Sequence, residues 1–246
     1  METQSQETAP HIGTLNEKPL HAALKRWAAE DGDRFEVPVG RFVADIVRGD
    51  QIIEIQTGST AVLKRKLAAL LARRSVRLLI PIPVRKTIRT IDGNGTEIRT
   101  RRSPKRGSLL DAFHELINLR DFLGDPNFTI DVVLIHEEEV RRPRSRPKRR
   151  RRGKAWEVQE RRLVEVLDSV ALHHPADYLA FVPPSLVEPF TTADLARAID
   201  RPRWMARKIA YVLRETGVLT AIGKAGNAIL YERGFGYRPG APRASG

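Results

Sequence analysis

The segment from Phe42 to Gly58, FVADIVRGDQIIEIQTG, constrains the chain more than any other, because it sets acidic and amide side chains inside apolar runs that read as buried strands. A buried polar group needs a partner, so the fold must bring compensation to this point. Gly49-Asp50 has the signature of a two-residue hairpin turn of the primed type, with glycine first. That turn sets a register in which Arg48 faces Gln51, Val47 faces Ile52 and Ile46 faces Ile53. Asp45 is then expected to face Glu54, both carboxylates on one side of the sheet and Gln56 beside them. Like charges directly opposed on neighbouring strands are destabilising, and the cation that suits carboxylates best is a hard divalent ion, Mg2+ or Mn2+. The alternative is a structural role, with Asp45 and Glu54 paired to arginines such as Arg48 or Arg77.

Residues 14–30 space Leu20, Ala23, Leu24 and Trp27 as one face of a helix. From Phe35 the period changes to alternation and short apolar runs, which predicts a meander of three strands. Residues 59–74 return to helical spacing, with Val62, Lys66, Leu67 and Leu70 on one side, and residues 76–82 read as a buried strand. Residues 84–102 alternate cationic and apolar side chains around Asp92-Gly93-Asn94-Gly95, a hairpin whose exposed face is basic. A helix capped by Ser108 is expected to run to Gly124, followed by a strand over 128–137. The run from Arg141 to Lys154 holds ten cations in fourteen residues and no apolar side chain, so it cannot pack a core; it reads as a solvated linker that can also tether DNA by charge. Residues 156–174 are expected to be a helix.

The chain carries 43 Lys and Arg against 30 Asp and Glu, a formal charge of +13. Such a field attracts polyanions, and nucleic acid is the commoner one. With no cysteine, disulfides, thiolate zinc sites and a cysteine nucleophile are excluded, so any metal sits on oxygen or histidine. His21, His114 and His136 lie on separate elements without the short spacing of a zinc site, which favours structural roles. The segment METQSQETAP lacks a basic and an apolar signal region and no run has the length of a membrane span, so a cytoplasmic protein is expected.

A first helix containing Glu17, then Asp45, then Glu54-Ile55-Gln56, in the order αβββαβ, resembles the PD-(D/E)XK nuclease superfamily over about residues 12–140. The resemblance implies a restriction-endonuclease-like core in which Asp45 and Glu54 bind the catalytic metal and an acid on the first helix, Glu17, assists, with Glu30 and Glu36 as neighbouring candidates. It also implies a lysine two positions after the second acid. Here Gln56 stands there, a Glu-x-Gln form similar to the competence-protein branch, and the proline of the motif is absent. An amide orients water but adds no charge. Lys64 or Lys66 on the following helix is a candidate for a migrated ammonium.

Residues 190–233 space two helices and a hairpin in the manner of a winged helix-turn-helix. Thr191 and Asp194 form a capping box, and Pro202 opens a second helix with Met205, Ile209, Val212 and Leu213 inward. Arg203, Arg207, Lys208, Tyr211 and Arg214 are expected outward as DNA contacts, with Lys224 at the tip of the wing. The expectation is thus an α/β chain: a nuclease-like domain over 12–140, a basic linker over 141–154, and a helical segment with a smaller winged-helix domain over 155–236. Its expected function is metal-dependent hydrolysis of DNA, duplex favoured, with a homodimer compatible. The alternative is a non-catalytic DNA-binding protein with a degenerate nuclease fold, and an RNA-processing role stays open.

Overall fold

The expected meander is present. In the computed structural model, which describes residues 17–144 and 156–234, strands β1 (Arg34–Val39), β2 (Phe42–Arg48) and β3 (Gln51–Ile55) run antiparallel in succession. Gly49 adopts φ +55° at the turn, a conformation that glycine reaches without a steric cost. Arg48 pairs with Gln51, Val47 with Ile52 and Ile46 with Ile53, as the turn dictates. Most of the basic run, residues 145–155, and the outermost ends of the expected domains lie outside the described residues.

After β3 a 3-10 turn (Thr60–Leu63) leads into helix α2 (Lys64–Leu71), which carries the chain across to β4 (Ser75–Ile91), parallel to β3. Strand β4 outruns the seven residues its apolar core suggests. Its second half forms the expected basic hairpin with β5 (Glu97–Arg102), every residue of which is exposed. Strand β6 (Phe128–Pro143) lies parallel to β4 on its other edge. The helix expected from Ser108 is broken into 3-10 turns around one short helix, α3 (Phe113–Leu116), although Phe113, Leu116, Leu119 and Leu123 still point to the core.

The helix expected over 156–174 is instead β7 (Trp156–Leu172), antiparallel to β6 along its whole length. Pairing overrides local spacing here. The strand is rich in Val, and its charges complement the neighbour: Arg161 bonds to Glu137, and Arg162 reaches Glu138 at 3.7 Å. The segment placed at the start of a second domain thus completes a seven-stranded mixed sheet of order β1-β2-β3-β4-β6-β7, with β5 attached to β4. The chain is an α/β protein.

Helix α1 (Pro19–Ala28) covers one face, burying Leu20 and Leu24 against Ile46, Ile53, Ile55, Leu79, Val133 and Ile135. Each such side chain contributes about 1.5–3 kcal/mol. Trp27, expected on this face, is 43% exposed, and Lys25 is buried in its place. The other face packs against α2, α3 and the C-terminal elements in one continuous apolar cluster, in which Phe113 meets Phe181 edge-on at 4.8 Å. Those elements are α4 (Thr192–Ala198), α5 (Arg203–Glu215) and the hairpin β8 (Leu219–Ala225) with β9 (Ala228–Arg233). The Thr191–Asp194 capping box forms as expected, and Met205, Ile209, Val212 and Leu213 are all buried. No helix among the described residues is long and apolar enough to cross a membrane.

Candidate functional site

Asp45 and Glu54 come together, but not as directly opposed residues. The β2–β3 ladder stops at Ile46–Ile53, and Asp45 Oδ2 instead accepts a hydrogen bond from the Ile55 N–H at 2.8 Å. On the other edge of β2, the β1 register skips Glu36, which adopts φ +51°. The hairpin is therefore bent at Asp45, and the two carboxylates are met from opposite layers. His21 on α1 places Nε2 3.2 Å from Asp45 Oδ2, while Lys66 on α2 forms an ion pair with Glu54 Oε2. Neither Arg48 nor Arg77 takes part. Arg48 binds Asp33, Glu30 and the Ala28 carbonyl, and Arg77 binds Asp131.

Behind His21 the polar chain continues. His21 Nδ1 lies 2.5 Å from Glu17 Oε1, Lys25 Nζ reaches the same oxygen at 2.6 Å, and Lys25 also pairs with Glu36. Lys25 is fully buried. Glu17 does not lie within the helix, as expected, but just ahead of it, since α1 begins at Pro19. Of the alternative acids, Glu36 joins this chain and Glu30 does not. His21, which the sequence suggested as structural, and Lys25, which it did not single out, are the further residues that the structure brings to the candidate site. The spacing Glu17, His21, Lys25 was the available signal: residues four apart stack on one helical face.

The site divides electrostatically. Burial, and then the charge of Asp45, raise the Glu54 carboxyl to about 7, with Lys66 pulling the other way. Burial also acts to raise Asp45, but His21, the Ile55 N–H and the charge of Lys66 outweigh it and leave this carboxyl below its ordinary value. Burial opposes a charge on His21, and Asp45 and Glu17 overcome it, raising the imidazole. Glu54 Oε1 and Glu17 Oε2 are buried without a hydrogen-bond partner. Gln56 follows β3 and donates its amide to the Ser59 carbonyl at 2.9 Å. Lys64, the other candidate ammonium, pairs with Asp121 at the surface instead.

Among the described residues no group of three or more His, Asp and Glu side chains is gathered to hold a metal ion. The bonds to Asp45 are made through Oδ2 and the ion pair to Glu54 through Oε2, while the buried Glu54 Oε1 stays unpartnered. Two carboxylates with an oxygen in hand fit a hard divalent ion that completes its shell with water and phosphate.

On α5, Arg203, Arg207 and Arg214 are exposed. Lys208 is not on the open face expected for it: its Nζ lies 3.0 Å from His114 Nδ1 and over the Trp204 ring, wedged against α3. Tyr211 is half-buried between the guanidinium groups of Arg120 and Arg214, at 6.0 and 5.4 Å from the ring. Lys224 is exposed on β8, opposite Ile229, and the tip is formed by Gly226-Asn227 rather than by Lys224.

Residues 18–173 match the family described as Domain of unknown function (DUF8091). The chain belongs to this family. The match begins just after Glu17, takes in Asp45, Glu54, Lys66 and all of β1 to β7, and ends before α4. A relative from Treponema pallidum (strain Nichols), described as an uncharacterized protein, is 31% identical over 227 residues, which is 90% of this chain and 87% of the relative. No solved structure matches.

Proposed function

We propose that this chain is a metal-dependent DNA endonuclease of PD-(D/E)XK type, with a C-terminal winged helix that holds duplex DNA. The observation that carries the reading is the convergence of Asp45, Glu54 and Lys66 at the bend of the hairpin, with one Glu54 oxygen buried and free. Asp45 and Glu54 would hold Mg2+ or Mn2+. When bound, that ion supplies Lewis acidity and a water of lowered pKa.

The protein's own groups do the rest. Lys66, twelve residues after Glu54, places an ammonium where the superfamily pattern expects a lysine nearer the acid, and stabilises charge developing on the phosphoryl oxygens. Gln56 is held through its amide nitrogen by Ser59, which leaves its carbonyl oxygen to orient water. His21 holds a proton between Asp45 and Glu17 and fixes the Asp45 carboxylate. Arg203, Arg207 and Arg214, with Tyr211 and Lys224, present cationic and hydrogen-bonding groups to phosphates and base edges. Lys208 supports the helix from its seat on His114.

A second reading is favoured by one observation: His21 against Asp45 and Lys66 against Glu54 already compensate both acids. A domain so compensated could bind DNA without cutting it. Plasmid nicking in Mg2+ or Mn2+, with Asp45→Asn as control, separates the two. Metal-dependent nicking by the wild type that is lost in Asp45→Asn is expected. DNA binding with no nicking in either protein would replace the enzyme with the non-catalytic binder.

A further inference from the structure

Strand β4 has an interrupted edge. β3 pairs with it only as far as Leu79, and pairing with β5 starts only at Thr87, which faces Arg102 at the end of β5, so residues 80–86 have no strand neighbour on that side. The Leu79 carbonyl accepts from Gln56 on this edge, and backbone groups alternate along a strand, so Pro81 and Pro83 turn their missing N–H groups to the gap. The loop after β5 crosses it. Ser103 donates its N–H to the Lys86 carbonyl at 2.8 Å, and Gly107 sits so close to Pro83 that a Cβ there would meet the Pro83 carbonyl oxygen at 2.5 Å.

Between loop and strand lies a cavity of about 550 Å³ lined by Val84, Arg85, Lys86, Arg102, Ser103, Lys105, Arg106 and Leu167. Five of these eight are cations. A second hollow of about 270 Å³ shares Lys86, Ser103 and Lys105 with it and extends to His114 and Arg141, with Asp111 as its one acid. Lys86 is anchored by Glu137 and Glu139, both at 2.9 Å, and Arg85 reaches Glu165 only at 3.9 Å. Arg102, Lys105 and Arg106 make no ion pair among the described residues. His114 is held below its ordinary pKa by burial and then by the charge of Lys208, with Lys105 adding to the effect. A cleft rimmed by exposed cations without ion-pair partners suits the oxygens of phosphate groups.

We propose that this cleft binds phosphates of a nucleic-acid backbone, as a second contact separate from the carboxylate site. Val84 lies six residues beyond Leu78, the residue opposite Glu54, which is roughly 20 Å along β4. At about 3.4 Å per base pair the cleft would grip the strand some six nucleotides from the carboxylates. The proposal rests on the reading that nucleic acid is the partner, but not on hydrolysis.

The test is fluorescence anisotropy of the full chain with a labelled duplex of about 25 base pairs, across a series of salt concentrations. Arg102→Gln/Lys105→Gln/Arg106→Gln should lower the log-log salt slope by about 2 to 3 units. A charge-matched variant at the far edge of the sheet, Arg34→Gln/Arg41→Gln/Arg73→Gln, should lower it by less than about one unit. Gly107→Ala, which displaces the loop without changing charge, should weaken binding several-fold. Equal slopes for the two triple variants would overturn the proposal. So would saturable binding of a free nucleoside triphosphate that the cleft variant loses while its duplex slope stays at the control value, which would assign the cleft to mononucleotides. A wild type that binds no duplex at all sinks the nucleic-acid reading and the cleft together, whereas binding without nicking sinks only the enzyme.

Discussion

The carboxylate site and the face of α5 handle charge in opposite ways. At the bend of β2, four acids, a histidine and two lysines are drawn out of water and paired with one another, and Lys25 is wholly enclosed. On α5 the buried stripe is purely apolar and the cations Arg203, Arg207 and Arg214 stand in solvent. A buried ionic cluster is costly to assemble and is weak evidence for stability, whereas an apolar stripe stabilises directly. The α5 region therefore reads as scaffold plus field. The cluster at Asp45 reads as a site, because desolvated charges perturbed by specific neighbours concentrate where chemistry is done.

The sharpest way to break this contrast is to compare rates. Lys66→Ala should lower single-turnover nicking by about 10²–10³-fold, the cost of removing one group that stabilises transition-state charge. Arg203→Ala/Arg207→Ala/Arg214→Ala should instead raise the DNA concentration needed for half-saturation and leave the rate at saturation unchanged. If the α5 variant loses the saturated rate as well, the division between site and field is wrong.

Stability draws the same line. Lys25→Met leaves Glu17 and Glu36 without their shared cation and should cost about 3 kcal/mol by denaturant titration. Lys224→Met, on the exposed face of β8, should stay within about 0.5 kcal/mol of wild type. Equal losses would mean that the buried chain behind His21 is not a coupled unit.

The register of the meander was legible because a two-residue turn with glycine first leaves few alternatives, and the apolar alternation agreed with it. The bend at Asp45 was not. It depends on Glu36 taking a positive φ and on the Asp45 carboxylate capping the Ile55 N–H, and neither leaves a mark on local sequence. The Glu17–His21–Lys25 spacing was visible, but reading it required knowing that the helix presents that face to β2 rather than to water. Strand β7 was misread for a related reason: both its faces carry charge, and only the complementary charges of β6 show that it is a strand. On α5 the inward stripe was legible from spacing alone, while the contact of Lys208 with His114 needed α3 in place.

The pH dependence distinguishes the two acids from each other and from the C-terminal region. Glu54 is raised to about 7 by burial and by Asp45, so its contribution to stability is fully present below the ordinary carboxylate range and is lost as pH rises through about 7. Relative to Glu54→Gln, the wild type should lose on the order of 2 kcal/mol between pH 5 and pH 8. Asp45 is lowered, so its contribution is present above the ordinary value and is lost as pH falls below it. Asp194 behaves like Asp45, held down first by the Thr191 hydroxyl. A difference between wild type and Glu54→Gln that is flat from pH 5 to pH 8 would show that Glu54 does not carry the burden of the desolvated site.

The smallest expected effect concerns Gln56, where the superfamily pattern places a lysine. Were the site short of a cation, Gln56→Lys would supply it and raise the nicking rate by a large factor. Lys66 already stands against Glu54, so a second ammonium is added to a charge that is already met. The substitution also removes the amide that donates to the Ser59 carbonyl, a single hydrogen bond worth about 1 kcal/mol. The two effects oppose each other, and the rate should change by less than about tenfold in either direction. Combined with Lys66→Ala, however, Gln56→Lys should restore part of the lost rate, because the ammonium then returns to the position from which the pattern implies it migrated. A hundredfold gain from Gln56→Lys alone would show that Lys66 holds Glu54 for structure and contributes nothing to the reaction.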